Sequence, residues 1–131
     1  MSTDQNKQTV RRFIAEVLDG GNVGAVDELL ASDYVNPGLG GADRAGFKAA
    51  LSAMAAAMPQ RHLRIHDLVA EGDAVVARFT YDITLASGEK VSARGLTYYR
   101  LANGKIVEDE PLTSPDLMPI LMAQLPAPAH P

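Results

Sequence analysis

The chain has 131 residues, no cysteine and a net charge of -4, from 12 Lys and Arg against 16 Asp and Glu. This length allows one domain to bury roughly two thirds of its unfolded surface, and the lack of cysteine excludes disulfides, thiolate metal sites and cysteine nucleophiles. The basic residues are scattered, so we expect no nucleic-acid partner. No apolar run approaches the roughly 18 residues of a membrane span, and the N-terminal stretch lacks an apolar signal core. We therefore expect a cytoplasmic protein that does not associate with a membrane.

Helical patterns occupy the first part of the chain. Apolar residues at helical spacing predict three helices, at Asp4 to Leu18, Val23 to Ala31 and Arg44 to Met58. Ser2, Thr3 or Asp4 can cap the first helix, Asn22 the second and Asp43 the third. The segment from Pro37 to Gly41 contains three glycines and a proline, which predicts a loop that could border a cavity.

From His62 onward the hydrophobic period changes to about 2, which predicts strands. An antiparallel meander is expected, with strands at Leu63 to Val69, Ala74 to Leu85, Val91 to Leu101 and Ile106 to Thr113. A short helix capped by Ser114 should end at Met122, and the Pro-rich residues 126–131 are expected to be disordered. We predict a single α+β domain over residues 1–125, in which helices cover one face of a curved sheet.

A tight turn that contains Asn103 and Gly104 joins the last two predicted strands, and the second of these strands carries three consecutive acids. Side chains alternate between the two faces of a strand, so Glu108 and Glu110 must point one way and Asp109 the other. The three acids therefore cannot form one acidic patch, and the face that is buried decides which of them has a functional role.

The sequence offers few metal ligands. His62 and His66 lie in one predicted strand, about 13 Å apart along the backbone at the usual rise, which is too far to share an ion. Neither a phosphate-binding glycine pattern nor a nucleophile elbow is present. We expect no metal site and no cofactor.

A cavity between helices and sheet would be lined by aromatic and apolar residues with a few polar atoms. The candidates for substrate binding are Tyr34, Asn36, Phe79, Tyr81, Thr97 and Tyr99, with Asp109 as the candidate catalytic acid. Such a lining suits a mostly apolar small molecule. Two alternatives stay open, since the aromatic residues can be ordinary core, and Asp109 can be solvated or paired with an arginine. In an apolar pocket, Asp109 would instead have a raised pKa and exchange protons with carbon.

Several blocks of the chain resemble a known family. The blocks LLASDYVNPG, LVAEGDAVVARFTYD and YYRLANGKIVED are similar, in the same order, to the SnoaL-like polyketide cyclases of the nuclear transport factor two-like superfamily, which also contains the ketosteroid isomerases. The resemblance covers residues from about 7 to 125. It implies a cone-shaped α+β barrel in which a strongly bent, mostly antiparallel sheet wraps three N-terminal helices around a deep pocket, and it places Asp109 inside and Glu108 and Glu110 outside.

The resemblance also implies where family residues are replaced. Pro111 stands where the cyclases have an acid/base aspartate, and Thr97 where they have a pocket histidine. Asn36 stands where the isomerases have their general-base aspartate, and Phe13 or Ile14 lies near the position of their oxyanion-hole tyrosine. Asp109 lies one inward step from Pro111, about 7 Å along the strand, and is the acid that could replace the missing one.

The leading hypothesis is a cofactor-independent cyclase or isomerase of SnoaL-like type that acts on a small, mostly apolar carbonyl compound, with Asp109 as acid/base. The alternative is a homodimer that binds a small hydrophobic ligand without chemistry. An epoxide hydrolase of the same fold is a further alternative, which would need a water held between carboxylates. The resemblance, together with an exposed Tyr98 on the wet face of the sheet, predicts a homodimer in each case.

Overall fold

Five strands form one mixed sheet in the computed structural model, which describes residues 2–125. The expected tail, residues 126–131, lies outside the described residues. The strands are β1 (Leu30–Val35), β2 (Gln60–Glu71), β3 (Ala74–Thr84), β4 (Lys90–Ala102) and β5 (Lys105–Ser114). The helices are α1 (Thr3–Arg12), α2 (Val26–Leu29), α3 (Arg44–Ala57) and α4 (Leu117–Met122). The strand order is β1-β5-β4-β3-β2, and the predicted α+β class is confirmed.

The first helix is capped and then changes its winding. The Ser2 hydroxyl accepts a hydrogen bond from the Gln5 backbone N–H, and the Gln5 side chain accepts one from the Ser2 N–H, each 3.0 Å long. Beyond Arg12 the helix continues with π-type winding over Phe13–Asp19. This segment buries Phe13, Ile14 and Val17 against the concave face of the sheet. No helix within residues 2–125 is long and apolar enough to cross a bilayer.

The predicted end of the second helix is wrong. The α-helix stops at Leu29, and Leu30 begins β1, which pairs in parallel with β5. Leu30 and Tyr34, four residues apart, are the two buried residues of β1, and the pairing of β1 with β5 shifts register between Leu30 and Val35. The same spacing also fits a helix, and the partner strand is far away in the sequence, so local periodicity could not separate the two structures.

Beyond the cap of the first helix, one of the predicted helix caps is confirmed and two are wrong. Asp43 Oδ1 accepts a hydrogen bond of 2.8 Å from the Gly46 N–H, as predicted for the start of α3. Asn22 makes no side-chain cap bond. Ser114 still belongs to β5, so α4 begins later than expected, and Asp116 caps it by accepting from the Met118 N–H.

The hairpin formed by β4 and β5 has the predicted turn, since Asn103 and Gly104 both adopt positive φ, 53° and 78°. Register shifts interrupt the pairing of β2 with β3 near Ile65 and of β4 with β5 near Leu101. Bulges of this kind bend strands and increase their twist, which suits the curl of the sheet around the helices. The curl leaves space between the inner face of the sheet and α3 and α4.

Candidate functional site

A cavity of about 550 Å³ lies in that space. Its apolar wall comes from helices and strands alike, with Leu18, Leu39, Phe47, Met54, Met58, Leu63, Phe79, Leu117 and Leu121 among the lining residues. The polar residues of the wall are Asn36, Tyr81, Thr97, Tyr99, Asp109, Thr113 and Asp116. A mostly apolar cavity with a few polar groups is the common form of a small-molecule site.

Asp109 lies on the inner face of β5, on the side opposite to Glu108 and Glu110 as the alternation predicts, and inside as the family resemblance implies. It pairs with Tyr99 of β4 in the sheet register and is 4% exposed, whereas Glu110 is exposed and Glu108 is half-buried. The acidic triplet is therefore divided between the two faces. Arg100 is opposite Glu108 in the register, where a salt bridge across the hairpin is the natural expectation from the sequence, but among the described residues no salt bridge joins them.

A chain of hydrogen bonds holds the carboxyl group of Asp109. The Tyr34 hydroxyl donates to Asp109 Oδ2 at 3.2 Å, and Asn36 Nδ2 donates to the Tyr34 oxygen at 3.0 Å. Asn36 Oδ1 in turn accepts from the Leu39 N–H at 3.2 Å, which fixes the orientation of its amide group. The three side chains are buried, and they connect the end of β1 with the inner face of β5.

Burial raises the pKa of Asp109 from 3.8 to about 7, although the hydrogen bond from Tyr34 opposes the rise by stabilising the charged form. The cause is the loss of water around the carboxylate, since no neighbouring charge among the described residues contributes to the raised pKa. A carboxyl group with a pKa near neutrality exists in both protonation states at physiological pH. It can therefore accept a proton and return it.

The neighbouring phenols stay protonated. Burial raises the pKa of Tyr34 and of Tyr99 well above the usual value, and the nearby charge of Asp109 raises each further. Both residues are thus hydrogen-bond donors over the whole range in which Asp109 titrates. Phe79 and Tyr81 pack edge to face beside them, with ring centroids 6.4 Å apart.

The seven predicted site residues lie together in the fold. Six of them line the cavity: Asn36, Phe79, Tyr81, Thr97, Tyr99 and Asp109. Tyr34 is not part of the lining. It is fully buried behind the wall and reaches the cavity only through its hydrogen bonds to Asn36 and Asp109.

Reasoning from the sequence missed one side of the cavity, which Asp116, Leu117, Met118 and Leu121 line from the start of α4. Gly38 and Leu39 line the cavity from the loop after β1, which the sequence did point to as a border of a cavity. A side chain at Gly38 would meet Pro111, because a Cβ atom built there lies 2.9 Å from the proline Cδ. The glycine content of this loop was the one sequence signal for its place beside the cavity.

His62 and His66 lie outside the cavity lining. His62 Nδ1 is 3.0 Å from Asp19 Oδ2, and His66 Nε2 is 2.7 Å from the Thr80 hydroxyl. Among residues 2–125, no group of three or more His, Cys, Asp or Glu side chains is placed to hold a metal ion.

A curled mixed sheet wrapped around N-terminal helices, with a cavity at its inner face, is the cone-shaped α+β fold of nuclear transport factor two-like proteins. The sequence model of the SnoaL-like domain matches residues 10–109. The chain belongs to the SnoaL-like family. No curated protein matches the sequence significantly.

Solved structures support the fold over nearly the whole chain. A candidate polyketide cyclase from Acidithiobacillus ferrooxidans is 26% identical with a TM-score of 0.76, covering 95% of this chain and 97% of its own. TsrD from Streptomyces laurentii is 22% identical with a TM-score of 0.79, covering 94% and 98%. AclR from Streptomyces galilaeus, a candidate hydroxylase, is 20% identical with a TM-score of 0.76, covering 96% and 89%. Similar structures thus carry names from different reaction classes, so the fold does not define the reaction.

Proposed function

We propose that this protein is a cofactor-independent cyclase or isomerase that acts by acid/base catalysis on a small, mostly apolar carbonyl compound of polyketide or steroid type. The observation that carries the proposal is a buried carboxyl group, Asp109, in the wall of an apolar cavity with its pKa raised to about 7. Family membership and the candidate polyketide cyclase at 26% identity support the reaction class.

In the proposed reaction, the Asp109 carboxylate removes a proton from the carbon next to the substrate carbonyl. Asp109 Oδ1 has no hydrogen-bond partner among the described residues, so it is the oxygen available to take the proton, while Tyr34 holds Oδ2. The electron pair of the broken C–H bond moves into the enolate. The resulting carboxylic acid then returns the proton to another carbon for isomerisation. For cyclisation, the enolate carbon attacks a second carbonyl, and the alkoxide oxygen formed from that carbonyl takes the proton from Asp109.

The enolate oxygen needs a hydrogen-bond donor. Asn36 uses one Nδ2–H for Tyr34 and its carbonyl for Leu39, so its other N–H has no partner within residues 2–125 and is free for a ligand. Tyr99 lies opposite Asp109 on β4 and lines the cavity as a second donor. Thr97 and Phe79 complete the wall around the bound molecule.

Proton exchange at carbon tests the proposal without knowledge of the natural substrate. β-Tetralone, a bicyclic ketone with acidic α-protons, is incubated with the protein in D2O, and loss of the α-proton signals is followed by NMR. A positioned general base contributes about 10²- to 10⁴-fold, so Asp109→Asn should reduce the exchange rate to the buffer background. Glu110→Gln, which removes the adjacent outward acid, should leave the rate unchanged.

Equal exchange rates in the wild type and Asp109→Asn would show that Asp109 is not the base. The same experiment separates the rival function. If β-tetralone binds, as seen by line broadening, but its protons exchange no faster than in buffer, the cavity binds a hydrophobic ligand without catalysis.

A further inference from the structure

One polar atom of the cavity wall takes no part in the network around Asp109. Tyr81 lines the cavity from β3 and is 6% exposed, yet within the described part of the chain its hydroxyl oxygen has no hydrogen-bond partner. Buried polar atoms are nearly always hydrogen-bonded, because burial removes the water that would otherwise bind them. An oxygen or nitrogen atom supplied by a ligand would restore the missing bond.

Tyr81 and Asp109 occupy separate positions on the cavity wall. In the sheet register Tyr81 is opposite Ala93 and Asp109 is opposite Tyr99, so the two positions differ by six residues of β4. Phe79 and Thr97 lie between them on the inner face, and the Phe79 ring packs against the Tyr81 ring. The Tyr81 hydroxyl is therefore a polar group of the wall that stands apart from the network around Asp109.

The surroundings of the Tyr81 hydroxyl favour an acceptor as its partner. Burial raises the pKa of Tyr81 to about 12, while the charge of Arg61 lowers it and the charge of Asp19 raises it, so the hydroxyl keeps its proton near neutral pH. Arg61 is fixed in place, since its Nε donates to the Leu18 carbonyl at 2.7 Å and its guanidinium to the Met58 carbonyl at 3.3 Å. A protonated phenol without a partner can donate its hydrogen to an acceptor such as a carbonyl, ether or hydroxyl oxygen.

Building on the proposed function, we infer that the substrate is an elongated carbonyl compound with a second acceptor oxygen remote from the reacting carbonyl, and that Tyr81 binds this oxygen. Asp109 and Asn36 act on the reacting end, and the aromatic and aliphatic wall holds the hydrocarbon between the two ends. Tyr81 sets the depth to which the molecule enters, and so which carbon faces Asp109.

Matched pairs of ligands test the inference by binding alone. β-Naphthol has one hydroxyl and mimics the enol of β-tetralone, and the naphthalenediol with a second hydroxyl at the opposite end of the rings differs from it by one oxygen. A three-ring pair of hydroxyanthraquinones, with one or two terminal hydroxyls, covers a longer span. Dissociation constants are measured by fluorescence or absorbance titration. In at least one pair, the compound with the distal hydroxyl should bind about tenfold more tightly to the wild type.

In Tyr81→Phe that advantage should fall below about twofold, while the affinity for the single-hydroxyl compound is unchanged. The variant keeps the ring against Phe79 and loses only an unpaired hydroxyl, so its thermal midpoint should not fall below that of the wild type. The inference is overturned if the affinity ratio is the same in both proteins for both pairs, or if no probe binds at millimolar concentration.

The ratio of the two dissociation constants does not depend on catalysis. Asp109→Asn should keep the preference for the distal hydroxyl. If Asp109→Asn also leaves β-tetralone exchange unchanged, the proposed acid/base function fails while the assignment of Tyr81 stands.

Discussion

The fold buries Asp109 in surroundings that disfavour the ionisation of its carboxyl group. Its pKa rises from 3.8 to about 7 on burial, so between these values the folded chain keeps a proton that the unfolded chain releases. The contribution of Asp109 to the free energy of unfolding should therefore be highest below about pH 4, fall as the pH rises, and level off above about pH 7. The full pKa shift corresponds to a change of about 4 kcal/mol at most in the free energy of unfolding.

Asp109→Asn removes this titration and keeps the shape of the side chain. We expect the stability of the variant, relative to the wild type, to increase by several kcal/mol between pH 4 and pH 8. Urea unfolding at several pH values measures the difference, with Glu110→Gln as a variant that should follow the wild-type profile. Parallel profiles for Asp109→Asn and the wild type would mean that the carboxyl group is not desolvated.

Tyr34 acts on the cavity through its two hydrogen bonds. Tyr34→Phe removes the donor to Asp109 and the acceptor for Asn36, and we expect a loss of about 1–3 kcal/mol in the free energy of unfolding. Because the donated bond favours the carboxylate, its loss should raise the pKa of Asp109 further, which carboxyl NMR titration would measure.

Tyr98→Phe is the matched control for Tyr34→Phe, since Tyr98 is partly exposed on the outer face of β4. It should leave the titration of Asp109 unchanged. A lowered pKa of Asp109 in Tyr34→Phe would contradict the assigned direction of the hydrogen bond.

At the scale of single elements, β4 depends on a glycine where the sheet passes under Phe79. A Cβ atom at Gly95 would lie 2.6 Å from the Leu112 carbonyl oxygen and 2.8 Å from Phe79 Cζ. Gly95→Ala should therefore separate β4 from β5 or displace the Phe79 ring into the cavity, at a cost of about 1–3 kcal/mol.

Denaturant unfolding and naphthol binding measure the two effects of Gly95→Ala. Adding Phe79→Leu should recover only part of the stability, because the contact with the backbone oxygen of Leu112 remains. Full recovery in the double variant would show that the ring alone constrains this position, and an unchanged stability of Gly95→Ala would contradict both contacts.

The elements that the sequence revealed are those with local signals. The β4–β5 hairpin has its turn residues and its alternation within one stretch of chain, so its register and the separation of Asp109 from Glu108 and Glu110 were predictable, while the inward direction of Asp109 came from the family resemblance. The parallel pairing of β1 was not predictable, because β1 and β5 meet only through the whole fold, as the separation of 75 residues between Tyr34 and Asp109 shows. The residues of the site were predicted from the sequence. The Tyr34–Asp109 hydrogen bond and the α4 side of the cavity were not, because they too depend on contacts between distant parts of the chain.

At the scale of the whole molecule, the outer face of the sheet carries a surface suited to a second copy of the chain. Leu96 and Leu112 face each other across β4 and β5 and are 49% and 71% exposed, with Tyr98 beside them. On the same two strands, Arg94, Arg100, Glu108 and Glu110 form no salt bridges with other described residues. A two-fold axis through this face would place cations of one copy near acids of the other.

We therefore expect a homodimer through this face, which light scattering at micromolar concentration can detect. Leu96→Lys introduces two buried cations at such an interface, one from each copy, and should shift the protein to the monomer. Met122→Lys changes an apolar residue of similar exposure on α4, away from the outer face of the sheet, and should leave the dimer intact. A monomeric wild type, or a Leu96→Lys variant that stays dimeric, would show that the exposed leucines of β4 and β5 do not form this contact.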